Sequence, residues 1–228
     1  MKENIRLLIL IMLLFIKNKQ FVLTTMKIGI IVGSHRNESQ SSKVGKYIEK
    51  ELHKLYSNTA SFYTLDLKNN PLPMWSEDKW QSGSEMQELW KPYSDELKSC
   101  DGFVIISPEW GGMVPSGLKN FFLLCDGHEL AHKPALLVGV SAGINGVYPI
   151  SELRMSSYKN TYISYLPSHI IVRNVNDVLN NEEAVDERDE SIRNRIQYEL
   201  SIFTNYLEAY QQIRERAEFD FRTYPFGM

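Results

Sequence analysis

Apolar residues follow two rhythms along the chain. Unbroken runs at 28–32, 103–107 and 135–141 fit strands buried on both faces, as in a parallel sheet. Residues 61–67 (S-F-Y-T-L-D-L) and 169–175 (H-I-I-V-R-N-V) complete a set of five strands. Between them the spacing turns helical. Val44, Tyr47, Ile48, Leu52 and Leu55 mark a helix over 41–56, and further helices are predicted over 85–100, 116–125, 150–162 and 190–218. Pro92 is expected to interrupt or start the second of these, because proline lacks the N–H that an interior turn needs. Residues 69–83 carry Pro71, Pro73 and Gly83 with two tryptophans, and are predicted as a surface loop. Strands alternating with helices imply an α/β fold, a five-stranded parallel sheet with helices on both faces.

The first residues break this pattern. Residues 5–16 are apolar apart from Arg6, a run short of the roughly 20 apolar residues that span a bilayer. No small-residue cleavage site follows, and Lys17 and Lys19 stand where a signal peptide is uncharged. Met26 opens the first strand directly. The expectation is that residues 1–25 are an upstream extension outside the fold, with a membrane anchor as the rival, and that 26–228 form the domain.

Charge and cysteine content narrow the function. The formal net charge of the 228 residues is -3, so no bulk positive field exists to hold a nucleic acid backbone. Cys100 and Cys125 are too few for a disulfide framework or a four-cysteine metal site, and are expected as reduced, partly buried thiols. Seven acids between Asp177 and Glu190, against Arg188 alone, are expected to form a solvated loop and a helix start. His128, Glu129 and His132 are expected as ordinary surface or interface residues, with no metal site.

In an open parallel sheet, ligands sit beyond the carboxyl ends of the strands, where strand order reverses. Three loops at that end carry unusual residues. Residues 33–43 (G-S-H-R-N-E-S-Q-S-S-K) lead straight into a helix, whose free N–H groups and positive dipole end suit a phosphate. Ser34, Ser39, Ser41 and Ser42 add hydroxyls and Arg36 a planar fork. The spacing fits neither a Walker loop nor a G-x-G-x-x-G fingerprint, so a phosphate carrying a flat ring suits it better than a dinucleotide. His35 is expected to face solvent. Residues 107–120 (S-P-E-W-G-G-M-V-P-S-G-L-K-N) place Trp110 before two glycines, where an aromatic ring could be covered and backbone could approach it. Residues 141–149 (S-A-G-I-N-G-V-Y-P) are again small, a weak signal alone.

Together these strings resemble the NAD(P)H-dependent FMN reductases of the flavodoxin-like fold, the group that includes azo-dye, quinone and chromate reductases. G-S-x-R-x-x-S at 33–39 is similar to the family's FMN phosphate loop, and the 107–120 string resembles its P-E-Y-N-x-x-x-P-x-x-L-K-N ring loop. Trp110 and Gly111 stand where Tyr and Asn are commoner. The resemblance implies a flavodoxin-like three-layer sandwich with strand order 2-1-3-4-5. It puts Ser34, Arg36, Ser39, Ser41 and Ser42 around the FMN phosphate. Pro108, Glu109, Trp110 and Gly111 would lie along the ring, with Ser141 and Gly143 at its far edge; Glu109 would act through its backbone, and Asn120 would brace the loop. NADPH or NADH would donate hydride to FMN, and electrons would pass to a small acceptor: free flavin, a quinone, an azo compound or a metal oxyanion. No catalytic side chain is required, because the cofactor carries the chemistry. The resemblance further implies a homodimer or homotetramer; the reduced cysteines point to the cytoplasm, no stable membrane insertion is expected, and the cluster of Trp75, Trp80 and Trp90 is expected as either subunit contacts or a satellite core. The alternative is a flavodoxin-type electron carrier with no NAD(P)H turnover of its own, against which Arg36 and the mild charge both argue.

Overall fold

The computed structural model describes residues 26–56 and 59–227, so the expectation for residues 1–25 lies outside it. The elements run in chain order: β1 (Met26–Val32), α1 (Gln40–Tyr56), β2 (Ala60–Asp66), a short 3-10 turn (Glu77–Trp80), α2 (Glu85–Ser99), β3 (Gly102–Pro108), α3 (Ser116–Leu124), β4 (Pro134–Val140), α4 (Tyr148–Ser156), β5 (Ser164–Val172) and α5 (Glu187–Arg216). All neighbouring strands pair in parallel, in the order β2-β1-β3-β4-β5. This is the flavodoxin-like arrangement expected from the sequence.

The unbroken apolar runs are explained by two separate cores. Ile28, Ile30, Val104, Ile106, Leu136 and Val138 face one layer, packed with Val44 and Ile48 of α1 and Leu200 and Phe203 of α5. Their chain neighbours Ile31, Phe103, Ile105 and Leu137 face the other, packed with Leu97 of α2, Phe121 of α3 and Leu153 of α4. Alternate residues thus point to opposite faces, and both faces are dry. Each fully buried Ile, Leu or Phe contributes about 1.5–3 kcal/mol, so the central strands hold the frame on which the loops are carried. Cys100 and Cys125 are both free, as expected, and buried where only partial burial was expected.

Four local expectations are corrected. α2 runs unbroken through Pro92. Ser84 caps its start by accepting from the Gln87 N–H, and burial of Met86, Trp90 and Leu97 outweighs the one lost backbone bond. α4 ends at Ser156, with the chain turning through a left-handed Tyr162 (φ 52°). β5 starts at Ser164 and ends at Val172, earlier at both ends than expected. Its register slips between Ala135 and Leu137 of β4, where Leu166, Pro167 and Ser168 bulge out and Arg154 collects all three carbonyls. The acidic run is not wholly solvated either. Asp186 caps α5, but Asp189 is buried, pairs with Arg193, and accepts the Leu179 and Val185 N–H groups. The tryptophans divide as well: Trp90 is core, whereas Trp75 and Trp80 stack edge to face at 5.5 Å nearer the surface.

Candidate functional site

Strand order reverses between β1 and β3, so the loops leaving these two strands bound a crevice at the carboxyl edge of the sheet. The first loop leaves β1 at Gly33, whose N–H still donates to Ile106 at 2.7 Å. From Ser34 to Ser39 the backbone stops pairing: among the described residues, no N–H of 34–39 donates to a protein acceptor. Ser39 then caps α1, its hydroxyl accepting from the N–H of Ser41 (3.1 Å) and Ser42 (3.4 Å). A run of unpaired donors opening onto a helix start is a cradle for an anion.

The loop after β3 is built as a tight turn. The backbones of Trp110 and Met113 exchange hydrogen bonds of 3.1 and 3.0 Å, with Gly111 (φ 57°) and Gly112 (φ 73°) between them. Two consecutive left-handed residues are the requirement of a type I′ turn, which explains the diglycine. A Cβ on Gly112 would meet nothing within 4 Å, so the tip of this turn looks onto open space. Trp110 is half-buried, and His35 meets it edge to face at 4.7 Å. His35 is therefore half-buried and not solvent-facing as expected, and its buried Nδ1 has no partner.

The third loop is held from both sides. Glu109 donates its N–H to Val140 (2.9 Å), and its carboxylate accepts the Gly146 N–H at 2.7 Å. The backbone N–H of Glu109 is thus spent on the sheet, and the side chain braces the third loop. Gly139 of β4 makes room for this loop, since a Cβ there would lie 2.2 Å from the Gly146 carbonyl oxygen. Asn174 and Val175 donate back to Gly143 (2.9 Å) and Ser141 (3.1 Å).

These loops enclose a crevice of about 610 Å³. Ser34, Arg36, Ser39, Ser41, Pro108, Glu109 and Trp110 line it together, so the first two sequence strings meet in space. Ser42 turns aside, donating to Asp66 at 2.7 Å. Gly111, Ser141 and Gly143 lie outside the lining, although Ala142 and Val140 belong to it. Sequence reasoning missed the fourth wall, formed by Lys43 with Val175, Asn176 and Asn180. Lys43 fixes that wall: its ammonium donates to the carbonyls of Val175 (2.5 Å) and Val178 (2.8 Å) and to Asn180 Oδ1 (2.7 Å). Burial pushes its pKa below the usual lysine range, opposed by Asp189 and Asp177. Its place in the first turn of α1 was the available signal. Asn120 braces a loop other than its own: its side chain holds the Pro73 carbonyl and the Trp75 N–H. Among the described residues, no group of three or more His, Cys, Asp or Glu is placed to hold a metal ion.

A family model described as NADPH-dependent FMN reductase matches residues 26–174. The chain belongs to that family. An NADPH azoreductase from Bacillus sp. (strain OY1-2) is 26% identical over 148 residues, covering 64% of this chain and 76% of the relative. A quinone reductase from Pseudomonas putida is 28% identical over 123 residues, covering 52% of this chain and 62% of the relative. Among solved structures, the flavoenzyme NAD(P)H:(acceptor) oxidoreductase FerB from Paracoccus denitrificans aligns with a TM-score of 0.63 at 21% identity, over 81% of this chain and 98% of its own, which shows the shared fold. The match to this FMN reductase family takes in all three loops of the crevice and stops short of α5.

Proposed function

We propose that the crevice holds FMN and that the chain is an NAD(P)H-dependent oxidoreductase passing electrons to a small acceptor. The observation that carries this is the unpaired N–H run of residues 34–39, set with Arg36 opposite the Trp110 turn in one crevice. The donors and guanidinium suit the dianionic phosphate, and the aromatic side chain with its diglycine turn suits a flat ring. Bound flavin supplies the hydride and electron transfer chemistry. The chain's own residues bind and orient. Residues 34–41 fix the charged end, Pro108 and Trp110 limit the ring's position, and Glu109 with Lys43 keeps the surrounding loops in place. A quinone or azo compound is the preferred acceptor class, on the strength of the relatives' names.

A pair of copies fits the apolar cleft of about 500 Å³ lined by Trp75, Trp80, Phe122, Leu123 and Leu153, beside the exposed Met155. This surface supports the reading that two chains associate there. Among the described residues, no helix is long and apolar enough to cross a membrane.

The test is to load the purified chain with FMN, record its absorption spectrum, and follow NADPH and NADH oxidation with benzoquinone present. A bound yellow flavin with steady turnover supports the proposal. Bound flavin without turnover identifies an electron carrier, and a chain that stays colourless overturns both.

A further inference from the structure

The phosphate turn borders a second cleft, larger than the first at about 740 Å³. The two are neighbours: Ser39, Lys43 and Asn180 line both, with the Lys43–Asn180 contact between them. None of Pro108, Glu109 or Trp110 lines the larger cleft, so it opens from the phosphate end of the crevice, away from the ring end. Its base is the outer side of α1, where Lys43, Lys46 and Lys50 recur at helical spacing. Its sides are Lys68 beyond β2 and the segment 179–182.

Four lysines and two acids, Asp66 and Glu182, line this cleft. Several of these charges are already engaged. Lys50 pairs with Glu182, Asp66 accepts from Ser42 and from the Lys68 N–H, and Lys43 is bound to carbonyls. The ammonium groups of Lys46 and Lys68 form no ion pair among the described residues. A mononucleotide on the phosphate turn leaves this cleft and both free cations unused.

We propose that the chain also accepts FAD, with the adenosine monophosphate half of the dinucleotide in this cleft. The inference rests on the placement of the FMN phosphate at residues 34–41. The second phosphate of FAD would then leave the turn on the side that Ser39 and Lys43 share. Lys46 and Lys68 balance its charge, and the side-chain amides of Asn37 and Asn181 face the nucleoside as neutral partners. The cleft's volume lies within the range of sites that enclose ligands of drug-like size, roughly 300–1,000 Å³.

The full chain, freed of flavin, is titrated calorimetrically with FMN and with FAD, alongside the double variant Lys46→Ala/Lys68→Ala. The expected result is that FAD binds at least as tightly as FMN, and that the double variant loses tenfold or more in FAD affinity but less than twofold in FMN affinity. FMN is itself a dianion, so a general loss of surface field would weaken both flavins alike, and that outcome overturns the proposal. So does binding of FMN without FAD. Failure of the unaltered chain to bind either flavin overturns the underlying placement of FMN instead.

Discussion

The two ends of the parallel sheet treat their polar groups in opposite ways. At the amino end long side chains tie several backbone carbonyls down. Lys133, buried between α2 and β4, donates to the carbonyls of Leu97 (2.9 Å), Lys98 (2.9 Å) and Glu129 (2.7 Å). Arg214 of α5 reaches across to the Asp101 carboxylate (2.8 Å) and to the carbonyls of Asp101 and His132. The chain then lays Phe219 flat against the His132 ring, with centroids 3.8 Å apart. At the carboxyl end the reverse holds: N–H groups 34–39 go unpaired, His35 Nδ1 is buried without a partner, and Gly112 faces empty space. A buried acceptor left unmatched, as His35 Nδ1 is, costs about 1–3 kcal/mol, whereas Arg36, Asn37 and Glu38 are exposed and their N–H groups are open to water or a ligand. The contrast separates a frame held by its own hydrogen bonds from the loops where the proposed flavin site lies.

The sharpest way to break this contrast is to damage each end and ask which property follows. Lys133→Ala removes a long buried side chain and strands three carbonyls, so it should destabilise the fold by about 3 kcal/mol, from the cavity and the lost partners together. Urea unfolding measures this, and FMN affinity of the folded fraction should stay within twofold. The same lysine predicts a pH signature. Burial pushes its pKa down to about 8, below the unfolded value, so the unfolded chain binds its proton more tightly and stability rises with pH from there. The gain amounts to about 1 kcal/mol per pH unit. Near pH 9 the ordinary thiol range begins. Cys100, which burial pushes up to about 12, and Cys125, which burial pushes well above the thiol range, then act in the opposite sense and offset the gain, because only the unfolded chain releases their protons. The thiols are common to both proteins, so the test is the difference between them: a Lys133→Ala variant whose stability runs parallel to the parent's between pH 8 and 9 refutes this role.

Arg36→Ala is the matching change at the open end. Arg36 is exposed and has no ion pair among the described residues, so its loss should leave the melting temperature unchanged. A charge-assisted bond to phosphate contributes about 1.5–3 kcal/mol, so FMN affinity should fall by roughly 10- to 100-fold. Fluorescence titration decides the point: an unchanged dissociation constant removes Arg36 from the site. Trp110→Ala should do less, lowering FMN affinity by about 3- to 10-fold, in keeping with an aromatic contact of about 0.5–1.5 kcal/mol. It should also relieve quenching of flavin fluorescence; unchanged emission would place the ring elsewhere.

The same contrast explains how much was visible beforehand. β1, β3 and β4 were legible because a strand buried on both faces must be apolar at every position, and few other structures impose that. The 107–113 loop was legible because its left-handed turn demands Gly at 111 and 112, and the 33–43 loop because Gly33 ends the apolar run and Ser39 caps the helix that follows. β5 was hidden by its bulge: Pro167 and Ser168 interrupt the apolar run, and Arg154, more than ten residues away, makes the interruption tolerable. The helix through Pro92 was hidden for a similar reason, since packing of Trp90 and Leu97 outweighs a local penalty. The wall formed by residues 175–180 was out of reach, because only tertiary folding brings it to Lys43, over 130 positions earlier in the chain. Asp189 shows that a charge run can look solvated while one of its members is buried against Arg193.

The smallest expected effect probes the boundary between the two regimes. Glu109 sits at the site, yet its groups are spent as those of the amino end are, on Val140 and Gly146. If it is a brace, Glu109→Gln keeps a carbonyl oxygen for the Gly146 N–H but gives up the charge on that bond. Charge-assisted hydrogen bonds are roughly twice as strong as neutral ones, so the loss should be about 1 kcal/mol in stability or, through a looser third loop, about 2- to 5-fold in FMN affinity. Glu109→Ala removes the acceptor altogether and should exceed the Gln variant in both measurements. The discriminating measurement is hydrogen exchange at the Gly146 amide, which should quicken in the order Glu, Gln, Ala if the carboxylate protects it. Slow exchange in all three proteins, alongside altered flavin binding, would mean that Glu109 meets the ligand directly and belongs with the open end after all.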